Sequence, residues 1–281
     1  TLKELDGDLE GSIPLGWGIF GWINRFVFLP LFGFLSSFLP HGISIIIMTI
    51  IVRLAMSPVT YKSYVSQIKM KVLRPEVEEI AAKYKNDAVK KQQETMSLYT
   101  RAGANPLSGC VPALIQLPVF YALFTFFPVA FVLRQKSFLW AEDLSSYDSI
   151  YDLPFNIPFY GDHISLFTLL MTISTLIYTH MNNQMASTQM PGMKFMMYLM
   201  PFMFLGFLNN YASSLSYYYF LANVFTFSQM FLMRKFVDDD AILAQLEENK
   251  KKPPKPKSRF QKKLEEMQKK QEQQLKKRKR R

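Results

Sequence analysis

One guanidinium sits inside an apolar run. Arg53 lies in IIIMTIIVRLAMSPVT, residues 45–60. A charge facing hydrocarbon costs roughly 3 kcal/mol or more, so it marks a function or a route to water. Thr49 precedes Arg53 by four residues and shares its helical face. Three further polar side chains stand in apolar surroundings: Gln116 in VPALIQLPVFYALF, and Tyr219 and Asn223, spaced i, i+4 in SYYYFLANVFTF. Such a set can hold a polar or acidic group by charge and hydrogen bonding where water is scarce. It offers no acid–base or nucleophilic chemistry. His41, His163 and His180 are scattered, Cys110 has no neighbouring His, and neither H-E-x-x-H nor G-x-S-x-G occurs. The chain therefore reads as a non-enzyme that needs no cofactor and no metal.

Each polar group has a plainer reading, and these readings stay open on the sequence alone. Arg53 can snorkel its long stem to the head groups, and Gln116 and Asn223 can serve as ordinary interhelical hydrogen-bonding residues. Depth favours a common site. Arg53 lies about seven residues from the inner end of its segment, roughly 10 Å at 1.5 Å per residue. Gln116 and Asn223 fall in the same half of the bilayer. One hydrated cavity open on that side would satisfy all of them.

The elements that must position these residues are membrane helices. A crossing helix needs about 20 mostly apolar residues because its backbone must satisfy itself in lipid. Five segments meet that need: 41–60, 106–133, 163–182, 194–212 and 214–233. A sixth apolar stretch, 16–40, carries Asn24, Arg25 and Pro30 near its middle and Trp17 and Trp22 as anchors. It reads as an amphipathic helix in the interface, with a further span as the alternative. Pro58, Pro112, Pro118, Pro128 and Pro201 fall in or beside spans and permit kinks. Met190, Met193, Met196, Met197, Met200 and Met203 form a soft apolar cluster, read either as adaptable surface or as simple filler.

Charge sets the orientation. The net charge is +11, and residues 234–281 hold 18 Lys+Arg against 8 Asp+Glu, a difference of +10. Residues 61–105 hold 9 Lys+Arg, whereas 134–162 hold only Arg134 and Lys136. The positive-inside rule then puts 61–105, the 183–193 link and the tail 234–281 in the cytoplasm, with 1–15 and 134–162 outside. Five spans fit termini on opposite sides. Residues 61–105 read as a helical hairpin: Val77, Ile80, Ala81 and Tyr84 form one apolar stripe, Asn86 and Asp87 supply a turn, and Gly103 stands at a C-terminal cap. In the tail, KKPPKPK (251–257) cannot be helical throughout. Residues 250–281, ending in KKRKRR, would attract a polyanion, either ribosomal RNA or anionic lipid. The single Cys110 excludes an intrachain disulfide. Thr1 rather than Met opens the chain, so upstream material is expected.

Three stretches resemble the YidC/Oxa/Alb membrane-insertase family. GISIIIMTIIVRLAMSPVT (42–60) resembles its first core span, NPLSGCVPALIQLPVFYALF (105–124) its next, and SLSYYYFLANVFTFSQ (214–229) its last. The order of parts also agrees over residues 12–236. The resemblance implies an all-α membrane protein of five spans around a hydrophilic groove, closed on the outer side, with an interfacial helix and a cytoplasmic hairpin. It implies Arg53 as the groove's positive residue and Thr49, Gln116 and Tyr219 as groove-lining positions, Tyr219 matching one that contacts substrates. Asn223 joins them from its spacing. It further implies nascent membrane proteins as clients, the bilayer of a bacterial inner membrane as the setting, action alone or with the Sec translocon, and a tail that can assist ribosome binding. The competing reading is a small-solute transporter or channel with Arg53 and Gln116 at its site. No internal repeat supports it, and five spans do not divide into two equal halves.

Overall fold

The computed structural model describes residues 16–85, 87–104, 111–185, 191–237 and 239–251. They fall into two compact units, one built from residues 1–65 with 107–237, the other from 66–106 with 238–281.

The first unit opens with the stretch expected in the interface. It forms α1 (Gly18–Ile23), a π-helical turn (Asn24–Phe28) and α2 (Leu29–Ser36). The wide turn carries Asn24 inward, where its amide donates to the Ala122 carbonyl at 2.8 Å and the Thr125 hydroxyl at 3.0 Å. The outward face shows Trp17, Trp22, Phe26, Phe34 and Phe38. Helix α3 (His41–Val72) follows, then α6 (Val111–Val129), α7 (Leu166–Met185), α8 (Pro191–Leu208) and α9 (Ser213–Phe236). Gly18–Ser36 and His41–Val72 are long and apolar enough to cross a membrane, and Leu114–Val129 and Phe195–Leu208 are shorter apolar helices.

Phe28, Phe32, Ile45, Met48, Leu123, Phe126, Phe127, Phe167, Leu215 and Tyr218 make the core of this unit, all with almost no exposed surface. The same helices leave Leu54, Leu114, Leu117, Ile173, Phe195, Phe202, Met203 and Phe231 more than half exposed. Large side chains turned outward on long helices suit a lipid solvent and would aggregate in water.

The chain is mostly helical, as the sequence reading expects, with one short strand pair added to it. Strands β1 (Tyr151–Ile157) and β2 (Gly161–Ile164) pair antiparallel in the segment read as loop, Tyr151 opposite Ile164 and Asp152 opposite His163. The register slips between Asp152 and Ile157. Pro154 lies in that irregular stretch, where its missing donor costs no ladder bond. Hydropathy alone does not separate so short an exposed hairpin from coil.

In the second unit, α4 (Arg74–Lys83) packs against α5 (Ala88–Ala102). Asp87 caps α5 by accepting from the Lys90 N–H at 3.0 Å, and Gly103 ends it at φ 71°, a left-handed conformation that glycine adopts without strain. Two boundaries differ from expectation. Helix α3 runs through Pro58 to Val72, twelve residues past the expected end of the span at 60, because no Pro or Gly stands between 61 and 73. The tail contains a further helix, α10 (Asp239–Lys251), which packs on α5 with Ile242 and Leu246 buried. Asn86, the 105–110 segment and the basic run after Lys251 lie outside the described residues.

Candidate functional site

Thr49, Arg53 and Ser57 recur every fourth residue on α3, so they form one polar file along an apolar helix. Thr49 is fully buried, and its hydroxyl donates to the Ile45 carbonyl at 2.7 Å. Ser57 donates to the Arg53 carbonyl at 3.1 Å and accepts from the Gln229 amide of α9 at 2.6 Å. That last bond fixes the polar file against α9. Arg53 itself is half-buried. Its Nε is wholly enclosed and finds no hydrogen-bond partner among the described residues. Its charge acts on the phenols of Tyr218 and Tyr219.

Tyr218 shares this feature. Its ring is fully buried, and its hydroxyl also has no partner among the described residues. An unmet buried polar group costs about 1–3 kcal/mol, so two in one neighbourhood call for a partner that completes them. A water, or a polar group of a bound chain, has the required donors and acceptors.

Tyr219 turns the other way along the same strip of α9. It accepts from the Gln116 amide of α6 at 3.4 Å, a long bond, and its ring tilts against Phe120 at 5.2 Å. Arg53 and Gln116 therefore converge on the Tyr218–Tyr219 pair. Asn223 does not join them through its amide nitrogen, which donates to Ser174 and Thr175 of α7 at 2.9 Å each. That clamp ties α7 to α9 in the manner of an interhelical polar bridge. Sequence reasoning missed Ser57, Tyr218 and Gln229. The four-residue spacing from Arg53 would have found Ser57. Tyr218 carries no signal of its own within a run of three tyrosines.

A second polar cluster gathers around Asp148, at the start of α7. Asp148, buried at 2% exposure, accepts from Trp140 Nε1 at 2.8 Å, the Ser165 hydroxyl at 2.5 Å and the Phe167 N–H at 3.1 Å. Ser165 also caps α7 by accepting from the Thr168 N–H at 3.1 Å. The Asn209 amide donates to the His163 and Tyr160 carbonyls at 2.8 and 3.0 Å, and its oxygen accepts from the Ser165 N–H at 3.0 Å. A carboxylate satisfied three times at a helix N-terminus is a structural tie. Among the described residues no group of three His, Cys, Asp or Glu side chains could hold a metal ion.

Apolar helices that face outward with aliphatic and aromatic side chains, yet bury Arg, Gln, Tyr and Asn between them, define an integral membrane protein with a polar interior. Residues 33–240 match the model of a family described as 60Kd inner membrane protein, and the chain belongs to that family of inner-membrane proteins. Over nine tenths of its length it is similar to proteins named membrane protein insertase YidC. The one from Parabacteroides distasonis is 54% identical over 263 residues, which cover 90% of this chain and 41% of that relative. The one from Amoebophilus asiaticus is 49% identical over 256 residues, 90% of this chain and 43% of the relative. The one from Bacteroides fragilis is 45% identical over 258 residues, 89% and 42%. The chain thus spans about two fifths of the length of the curated relatives it matches.

Proposed function

We propose that this chain inserts nascent membrane proteins into the lipid bilayer through a polar groove that opens to the cytoplasm and contains Arg53, Thr49, Gln116 and Tyr219. The observation that carries the reading is the enclosed Arg53 Nε, which has no partner among the described residues, beside the Tyr218 hydroxyl, equally unmet by them. A positive group held between helices with no counter-ion among the described residues is poised for a transient one. The relatives' name, membrane protein insertase, supports the same class of activity. Asn223 belongs to the groove wall as a brace rather than as a contact.

The physical task is to move a client's short polar or acidic end past hydrocarbon, which costs several kcal/mol per charge if unaided (roughly 3 on the insertion scale). Water held partway into the bilayer shortens the low-dielectric path. Arg53 attracts the acidic end across a weakly screened space, and the Tyr219 and Gln116 pair offers exchangeable hydrogen bonds. The client's apolar segment then leaves sideways into lipid, driven by burial of its own surface. The step uses no nucleotide. In this reading five spans cross the membrane, residues 16–40 lie in the interface, and 61–105, 183–193 and 234–281 face the cytoplasm. The basic 250–281 segment would meet the ribosome or anionic lipid, and the chain works alone or beside the Sec translocon.

The test is insertion of clients that differ only in the charge of the translocated end, by protein reconstituted in vesicles. Arg53→Ala is expected to reduce insertion of acidic-ended clients about tenfold, while Arg53→Lys, which keeps the charge, retains most activity. Equal insertion of both client types by Arg53→Ala overturns the electrostatic role.

A further inference from the structure

A cavity of about 800 Å³ lies where α3 begins. It stands roughly 18 Å along the helix from Arg53, at 1.5 Å per residue. The loop that forms it is held in place. A Cβ on Gly42 would fall 2.1 Å from the Phe138 ring, so the loop rests directly on the first turn of α3. Phe138 and Ala141 exchange backbone hydrogen bonds at 2.9 and 3.0 Å, and the Leu144 N–H donates to the Lys136 carbonyl at 3.0 Å. Gln135, left-handed at φ 56°, bends the chain between Arg134 and Lys136, and both line the cavity. His41, the first residue of α3, lines it too, and the helix N-terminus adds partial positive charge.

The charges do not cancel within the site. Arg134 and Lys136 form no ion pair among the described residues, and Arg134 lies over the Phe131 ring at 5.8 Å. Asp143 lines the same cavity. Burial pushes its carboxyl up, but the Ser145 hydroxyl and N–H, the Gln135 backbone and the Arg134 charge together hold it below the usual range, so it is ionised at neutral pH. Two cations and one carboxylate leave one positive charge, the complement of a monoanion. Beside this polar hollow Phe131 and Val132 are 79% and 44% exposed, an apolar shoulder next to the cations.

We propose that this cavity holds the phosphodiester of a phospholipid head group, with Arg134 and Lys136 as its donors and Phe131 and Val132 against the upper part of its acyl chains. A phosphodiester carries the single negative charge that the site lacks, and the attached chains match the shoulder. Guanidinium and ammonium donors give charge-assisted hydrogen bonds to phosphate oxygens. The proposal rests on the reading of α3 and α6 as membrane helices and not on the insertion activity.

Native mass spectrometry of the detergent-solubilised chain titrated with phosphatidylglycerol tests it without any insertion step, so its failure and that of the insertase reading are separate. The Arg134→Gln/Lys136→Gln variant is expected to retain roughly tenfold less lipid than the unaltered chain, as fits the loss of two charge-assisted bonds. The charge-keeping Arg134→Lys/Lys136→Arg variant retains most of it. Lys62→Gln, an exposed lysine elsewhere, changes nothing. Soluble glycerophosphoglycerol, which lacks the chains, competes only at large excess. Matched unfolding temperatures confirm that the variants fold. Unchanged lipid retention by the double Gln variant overturns the proposal. Displacement of lipid by an equal concentration of the soluble diester overturns the lipid assignment and leaves a free-anion site.

Discussion

The side chains that matter most here are those with polar atoms and nothing to bond to. Arg53 Nε and the Tyr218 hydroxyl are buried without partners among the described residues, while their neighbours Ser57, Gln229, Gln116 and Tyr219 are all engaged. If water links the two, Tyr218→Phe removes one of its partners. The expected result is a lower unfolding temperature, equivalent to about 1 kcal/mol. A temperature that stays or rises would show that the hydroxyl had no partner to lose. Arg53 was legible in the sequence because a charge among aliphatic residues has few explanations. Tyr218 was not, since a tyrosine is at home in an apolar helix. Whether its oxygen is met depends on α3, which is more than 140 residues away in the chain. Asn223 shows the same limit from the other side. Its spacing from Tyr219 put both on one face, but a helical face is wide enough for one to reach α6 and the other α7.

Among the elements, hydropathy located apolar stretches well and helix ends poorly. It marks where lipid would stop, and α3 continues past that point because nothing in 61–72 breaks it. Helix α10 escaped notice since its apolar signal is one short run, Ile242, Leu243 and Leu246, in a charged segment. The C-terminal cap of α5 was read at Gly103, while Asp87, read as part of a turn, serves as its N-cap; both act through local chemistry that needs no tertiary partner. The seams between helices give two tests. Asn223→Ala should cost about 1–3 kcal/mol, and in a double-mutant cycle with Ser174→Ala the two losses should be less than additive. Additive losses would mean that the clamp is not a unit. Gly42→Ala places a methyl group inside the Phe138 ring. Destabilisation of roughly 1–3 kcal/mol is expected, with Phe138→Ala restoring part of it when combined. An unaffected unfolding temperature for Gly42→Ala would refute the close approach.

Taken as one body of helices, the first unit is polar and under-satisfied around Arg53 but cross-tied around Asp148. The sequence presented Asp148 merely as one acid among several in a loop between apolar segments. Its burial depends on Trp140, Ser165 and the α7 N-terminus meeting over it, an arrangement no local pattern encodes. Asp148→Ala strands the donors that it satisfies, and a loss of roughly 3–5 kcal/mol is expected by chemical or thermal unfolding.

That tie bears on a problem every such membrane faces. A bacterium stores energy as a difference in proton and ion concentration across this bilayer, and any continuous thread of solvent would drain it. Under the proposed function, water enters one half to reach a guanidinium, and the other half must stay tight at all times, even while a polypeptide slides by. If the chain inserts proteins as proposed, a carboxylate that locks a loop, a helix start and an interhelical turn together would act as a stopper that needs no moving gate. Loosening it should show first as a dissipated potential, before any loss of client handling.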